Sequence, residues 1–415
     1  MLSLTSIRTI QLPRGKLFVG SLPELFLVMS VFSKEIATRR LFGVDFDYFS
    51  YTFALVFFIF NLKRILYFQG TPWKLYGYLV FSSLISIVTL NMGYGGFLKQ
   101  IIPILILYSV NFFIVGSGDW TNIFKLYVKF AYYSAIFGII QFVASLGGID
   151  LLNQTAGRLD SVAYEPSHYA ALLVPAMVFA FFHYKEYKFY FNVMLVALIL
   201  TLNLTGYLSF LFVISLAYIN LVYFIFIIPL AYFLIFKVLI DFNENFNMRI
   251  VDTLAVFKGD VNVLNKQVRT NGTTVSLFSN LMVAKSNIEN WHLLGSGVGG
   301  HEESYYRYFE NSSFRHNWFF GLNAPSGHSL SIRILSELGI VGFVLYVYVL
   351  VKNLLLADSG ICRNISLACL SHFVCKSFKL GGIIDYGTPF FFAMLIINGI
   401  QYRYNQNLKK KNDAN

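Results

Sequence analysis

Three cysteines in 415 residues leave no room for a disulfide-built scaffold, because Cys362, Cys369 and Cys375 all fall in one late hydrophobic stretch. Charge is scarce as well. Asp, Glu, Lys and Arg together make 13% of the chain, about half the ~25% usual in soluble domains. With 56% apolar residues and a mean hydropathy of +0.61, an ordinary soluble enzyme is excluded. No internal repeat or low-complexity tract is visible. No small-residue cleavage site follows Leu17 to Phe32, so no cleaved leader is expected. No His, Asp or Glu residues are spaced as metal ligands, so neither a catalytic metal nor another cofactor is expected.

What the chain has in abundance is runs of about 20 apolar residues, the length that crosses the hydrocarbon core as a helix. These runs predict spans near 17–33, 46–61, 75–91, 98–115, 123–146, 167–183, 189–205, 207–220, 222–240, 329–351, 362–378 and 387–402. The expected fold is an all-α polytopic membrane protein of about twelve transmembrane helices. The organisation expected is helices 1–9 over residues 1–240 with a short external loop at 147–166, a long polar loop at 241–327, helices 10–12 over 328–402, and a basic tail at 403–415.

The net charge of +11 is explained by topology rather than by nucleic acid. Lys63, Arg64, Lys74, Lys185, Lys188, Lys352, Arg363, Arg403 and Lys409 to Lys411 fall on one side of this arrangement, which makes that side cytoplasmic. The opposite short loops carry far fewer cations, among them Arg158 and Lys379. The long loop then faces outward. Its acids and bases nearly balance, so it is not a polybasic tail, and its aromatic residues, Trp291, Tyr305, Tyr306, Trp318 and Phe319, suit a folded segment resting on the bilayer.

Chemistry is expected at the two outer segments. Arg158 precedes Glu165-Pro166-Ser167 at the start of a span; it either pairs with Asp160 or Glu165 or binds an anionic head group that Glu165 helps position. Arg249 and Arg269 lie early in the long loop, ahead of an amphipathic stretch from Thr273 to Asn287 that predicts a helix along the surface. Arginines converging on one cavity suit phosphate, because the planar fork makes bidentate bonds and keeps its charge. Gly295, Gly297 and Gly300 match a dinucleotide-binding string, but no strand precedes them and no ordinary helix is expected to follow, so a tight turn approaching a ligand or a helix is the better reading. His328 opens the next span and is either structural or a proton acceptor. Arg333 and Glu337 share a helix face; mutual neutralisation is the first expectation and anion binding by Arg333 the alternative.

Three pieces together resemble the O-antigen polymerase and ligase superfamily. They are Arg158 with Glu165-Pro166-Ser167, Arg269 followed by a helix and the Leu294-to-Gly299 glycine turn, and His328 with Ser336-Glu337-Leu338-Gly339-Ile340-Val341-Gly342. The resemblance covers roughly residues 123 to 350. His328 is followed by Ser329 where the family often has Asn, and Val275 and Leu277 stand where the family often has a Trp a few residues after the Arg.

The resemblance implies a polyprenyl-sugar glycosyltransferase (GT-C-like) fold in a bacterial inner membrane, with its site facing the periplasm. The implied substrates are undecaprenyl pyrophosphate-linked donor and acceptor glycans, used without a metal. Polymerisation of repeat units by inverting transfer is the favoured activity. The alternatives are ligation of the polysaccharide to lipid A core, or a lipid-linked glycan flippase. Arg158, Arg249, Arg269 and Arg333 are then substrate-binding residues, Arg269 stabilises the departing diphosphate, and His328 or Glu165 is the base. A chain-length regulator protein is a further expected partner.

Overall fold

A computed structural model describes residues 22–33, 47–149, 151, 157–218, 272–290, 293–385 and 387–413. The described residues form thirteen α-helices and no sheet: α1 (Leu22–Ser33), α2 (Asp47–Leu66), α3 (Trp73–Leu90), α4 (Tyr94–Ser117), α5 (Trp120–Leu146), α6 (Pro166–Phe182), α7 (Tyr184–Leu200), α8 (Leu204–Tyr218), α9 (Gly272–Glu289), α10 (His301–Tyr308), α11 (Leu330–Lys352), α12 (Ile361–Phe378) and α13 (Thr388–Asp413). Five of them, α2 to α5 and α11, are long and apolar enough to cross a membrane, and α1, α6 and α8 are shorter apolar helices. Eleven of the twelve expected spans coincide with described helices, although α1 is only 12 residues long. The span expected at 222–240 lies outside the described residues.

The helices sort by what surrounds them. On α2, Ile59 and Phe60 are exposed, as a lipid-facing helix requires. By contrast α6 is buried from Pro166 to Ala180 apart from His168, packed against α5, α7, α8 and α12. A helix apolar all round belongs in such a position. Pro175 leaves the Ala171 carbonyl without its helical donor. That carbonyl accepts a hydrogen bond from His372 Nδ1 of α12 at 3.0 Å, and the Tyr127 hydroxyl of α5 donates to the neighbouring Leu172 carbonyl. Because lipid tails are as apolar as leucine, such cross-helix bonds and close packing hold α6.

One end of the bundle carries the segment 293–329. Arg307 Nη1 of α10 donates to the Leu90 carbonyl at 2.8 Å, and Glu303 accepts from the Gly93 amide at 2.8 Å. The α3–α4, α7–α8 and α12–α13 connections and the start of α6 lie at this end. Lys63, Arg64, Lys74, Lys352 and Arg363 lie at the other end, with the C-terminal turns of α13 beyond.

The glycine string is a lock between helices. α11 is interrupted at Gly339, whose backbone (φ 65°, ψ −167°) leaves the helical region. Into that interruption the loop 293–300 inserts, with the Ser296 amide donating to the Ser336 carbonyl at 2.9 Å and the Gly297 amide to the Glu337 carbonyl at 2.8 Å. On its other side α3 holds it: Ser86 Oγ donates to the Gly295 carbonyl at 2.8 Å, and Ser83 Oγ accepts from the Val298 amide at 2.9 Å. A Cβ at Gly339 would stand 2.1 Å from the Leu293 carbonyl oxygen. One expectation is corrected here: a short helix, α10, does follow the glycines. The backbone approach is to a helix.

Candidate active site

Helix α9 lies where the amphipathic stretch predicts one, but it is not a surface helix. Thr274, Ser276, Ser279 and Asn280 are buried along with Val275, Phe278 and Val283. The helix packs against α11 and α10. Its inward polar side chains serve two histidines, which is why its buried face is not simply apolar.

His301, at the start of α10, is completely buried. Its Nε2 lies 2.8 Å from Asn280 Oδ1 and its Nδ1 2.7 Å from Ser336 Oγ. An amide oxygen only accepts, so Nε2 carries the proton and Nδ1 accepts from the Ser336 hydroxyl. Burial, with the Arg333 charge adding to it, holds this imidazole at a pKa of about 3. Every polar atom of the ring is satisfied in the neutral form, so His301 acts as structure.

His328 is the second histidine on α9. It sits in a left-handed conformation (φ 62°) on the turn that leads into α11, and is 3% exposed. Its Nδ1 is 3.0 Å from Ser276 Oγ. The single Ser276 hydroxyl proton points to the Leu322 carbonyl at 3.0 Å, so the oxygen is free to accept from Nδ1–H. Asn323 Nδ2 approaches both atoms, and its shorter contact, 2.9 Å, is to Ser276 Oγ. This network fits the Nδ1–H tautomer, in which the lone pair lies on Nε2. Among the described residues Nε2 makes no hydrogen bond. Burial and, secondarily, the charge of Lys379 hold His328 at a pKa of about 4, so it is neutral at pH 7.

Lys379 caps the C-terminus of α12. Its Nζ lies 3.4 Å from Glu165 Oε2 of the loop before α6. His168 Nε2 is 3.9 Å from the same oxygen, and Ser167 Oγ donates to it at 3.1 Å. Burial pushes the Glu165 carboxyl up, but Lys379, His168 and Ser167 outweigh it and hold the group below the ordinary glutamate value. Glu165 is therefore an anion at neutral pH, held in an ion pair with Lys379.

The loop after Lys379 is pinned from below. Arg333 Nη1 donates to the Gly381 carbonyl at 3.3 Å, Tyr108 to the Ile383 carbonyl at 2.8 Å, and the fully buried Lys376 to the Asp385 carbonyl at 3.1 Å. This loop abuts the histidine turn so closely that a Cβ on Gly381 would lie 1.6 Å from the Ser326 carbonyl oxygen. Arg333 also pairs with Glu337 through Nε at 3.1 Å, both residues being at most 3% exposed. The mutual pairing expected for them is what the structure shows, and it leaves Arg333 Nη2 and Glu337 Oε2 without a hydrogen-bond partner among the described residues. The amides of Gly299 and His301 face the same carboxylate.

Arg158 sits elsewhere at this end, with Nε on the Thr201 carbonyl at 3.0 Å and Nη2 on the Leu202 carbonyl at 3.2 Å, holding the α7–α8 turn. Arg249 and Arg269 lie outside the described residues. The structure thus places Lys379, paired with Glu165, at the start of a loop that packs against the turn carrying His328, and Arg333 holds that loop from beneath. Lys379 is the residue that sequence reasoning passed over. Its signal was available as one of few cations on the side opposite the positive-rich loops, two residues before the Gly381-Gly382 pair.

Beside this cluster runs an apolar groove between α3, α4, α11, α12 and α13. Leu75, Tyr78, Ile104, Leu330 and Ile334 line it, together with Ile383 of the pinned loop and Thr388 at the start of α13. Among the described residues no three of His, Cys, Asp and Glu gather as metal ligands. Comparison with protein-family models and with curated proteins finds no match to this chain.

Proposed function

We propose that this chain is a glycosyltransferase that lengthens surface polysaccharide. It moves a glycan from one undecaprenyl pyrophosphate carrier onto the repeat unit of another, at the periplasmic face of a bacterial inner membrane. The observation that carries this reading is the meeting of the Glu165-Pro166-Ser167 segment with the His328 turn across Lys379. Two of the motifs that resemble the polymerase and ligase superfamily are far apart in sequence, and a common site is the simplest reason for both to be there. The excess of Lys and Arg at the opposite end of the bundle favours this end being outside.

In this reading Nε2 of His328 takes the proton of the acceptor hydroxyl as its oxygen attacks the anomeric carbon. The bond from that carbon to the diphosphate oxygen breaks, and its electron pair leaves with undecaprenyl diphosphate. Attack opposite the leaving group inverts the anomeric centre. An imidazole with a pKa of about 4 is a weak base, but a diphosphate bound beside it supplies negative charge that raises its proton affinity. Fixed cations stabilise the charge growing on the leaving group, each donor contributing about 10²–10³ in rate. Arg249 and Arg269 remain the proposed arginine donors. The apolar groove suits the isoprenoid tail, which needs no polar partner.

The test is direct. Purified protein in mild detergent, given undecaprenyl pyrophosphate-linked repeat units, is expected to convert them to a ladder of longer lipid-linked chains on a gel. Unchanged single repeats at high enzyme concentration overturn the proposal. Transfer onto lipid A core without lengthening would assign the ligase reaction instead.

A further inference from the structure

The cations at this end of the bundle are not equivalent. Arg333 is almost wholly buried and committed to Glu337 and to the Gly381 carbonyl. Lys376 is wholly buried among loop carbonyls. Arg158 is bonded to two carbonyls of the α7–α8 turn. Lys379 differs from all three, because its side chain is 27% exposed and its ion-pair partner among the described residues, Glu165, is itself 45% exposed. The backbone that carries this side chain is fixed in place, since the loop that follows it is fastened by Arg333, Tyr108 and Lys376. Its charge reaches the His328 ring across the tight contact of Gly381 with the Ser326–Ser329 turn.

We infer that Lys379 binds the anionic phosphate group of a polyprenyl-linked substrate, with Glu165 as the resident counter-ion that the phosphate displaces. This rests on the glycosyltransferase reading and adds to it a binding residue from α12. A phosphate outcompetes a half-exposed carboxylate for an ammonium, because it carries more charge and presents more acceptor oxygens. Neutralising Lys379 also removes the positive charge facing the imidazole, so anion binding and base activation are one event. Ser167 and His168, on the first turn of α6, stand beside the displaced carboxylate and keep it in reach for product release.

The experiment uses full-length protein in detergent micelles with farnesyl diphosphate as the probe, followed by titration calorimetry. Farnesol and inorganic pyrophosphate serve as comparisons. Wild-type protein is expected to bind farnesyl diphosphate more tightly than either comparison. Lys379→Met weakens it by about tenfold or more, the usual loss for a hydrogen bond to a charged group. Lys379→Arg keeps most of the affinity, and Glu165→Gln tightens binding by removing the competing anion. Unchanged affinity in Lys379→Met overturns the inference. So does wild-type protein that binds farnesol as tightly as farnesyl diphosphate, a result independent of whether the variants fold. Equal binding of inorganic pyrophosphate overturns the lipid-linked part. If these binding results hold while lipid-linked repeats are never lengthened, the anion site stands and the polymerase reading fails.

Discussion

Helix α9 faces two histidines that have the same side chain and opposite circumstances. His301 is sealed, with both ring nitrogens bonded and the glycine lock folded over it. His328 is tethered through one nitrogen only, beside an ion pair that reaches solvent. The contrast teaches that burial alone does not mark a working residue, since both rings are buried and both are held neutral. What separates them is whether the hydrogen-bonding capacity is used up. A fully satisfied ring stabilises a fold; a ring with one committed tautomer and one uncommitted lone pair is arranged to take a proton.

Substitutions sharpen this difference. The largest effect is expected at the lock itself: Gly339→Val places side-chain atoms where the Leu293 carbonyl already sits, and size-exclusion profiles should show no folded protein. Next, His328→Gln is expected to lower the rate of repeat-unit transfer by about 10²–10⁴ while the melting temperature changes little, since the glutamine amide can still bond Ser276. His301→Ala should do the reverse. It orphans Asn280 and Ser336 in a dry site and costs about 2–4 kcal/mol of stability, measured by denaturant titration, with activity per folded molecule nearly kept. Equal kinetic damage from both substitutions would erase the proposed division of labour.

Acid provides a milder probe. Both imidazoles have folded pKa values below the ordinary 6.5, so below pH 6.5 the unfolded chain takes up protons that the folded chain refuses. Stability is therefore expected to fall as pH drops from 6.5 towards 4, and the loss continues towards 3 on account of His301. Thermal melts across this range should show the slope, and His301→Gln should flatten it. The smallest effect is expected for Arg158→Ala, which removes two bonds to exposed-end carbonyls and costs about 1 kcal/mol. A much larger loss of transfer rate at unchanged stability would return Arg158 to the substrate site.

Much of this architecture was legible before any coordinates. Apolar runs of spanning length gave the helices, and the bounds of α4, α5, α11 and α12 fall within a few residues of the spans read from sequence. Arg333 with Glu337, four apart, were readable as a pair, and they are one. The role of α9 was not legible, because an amphipathic pattern does not say whether the polar face meets water or histidines. Lys379 could be read as one of few outer cations, but nothing near it in sequence relates it to Glu165 or His328.

The division follows the range of the forces. Helix formation and bilayer compatibility depend on neighbours within a turn or two and on summed hydropathy, so residue order alone determined the helices, the polar loop and the end whose short loops are poor in cations. The interruption of α11, the tautomer of His328 and the pairing of Lys379 with Glu165 depend on groups from distant helices reaching one place. Only tertiary packing decides that, because hydrogen bonds and ion pairs act over a few ångströms and carry no trace along the chain.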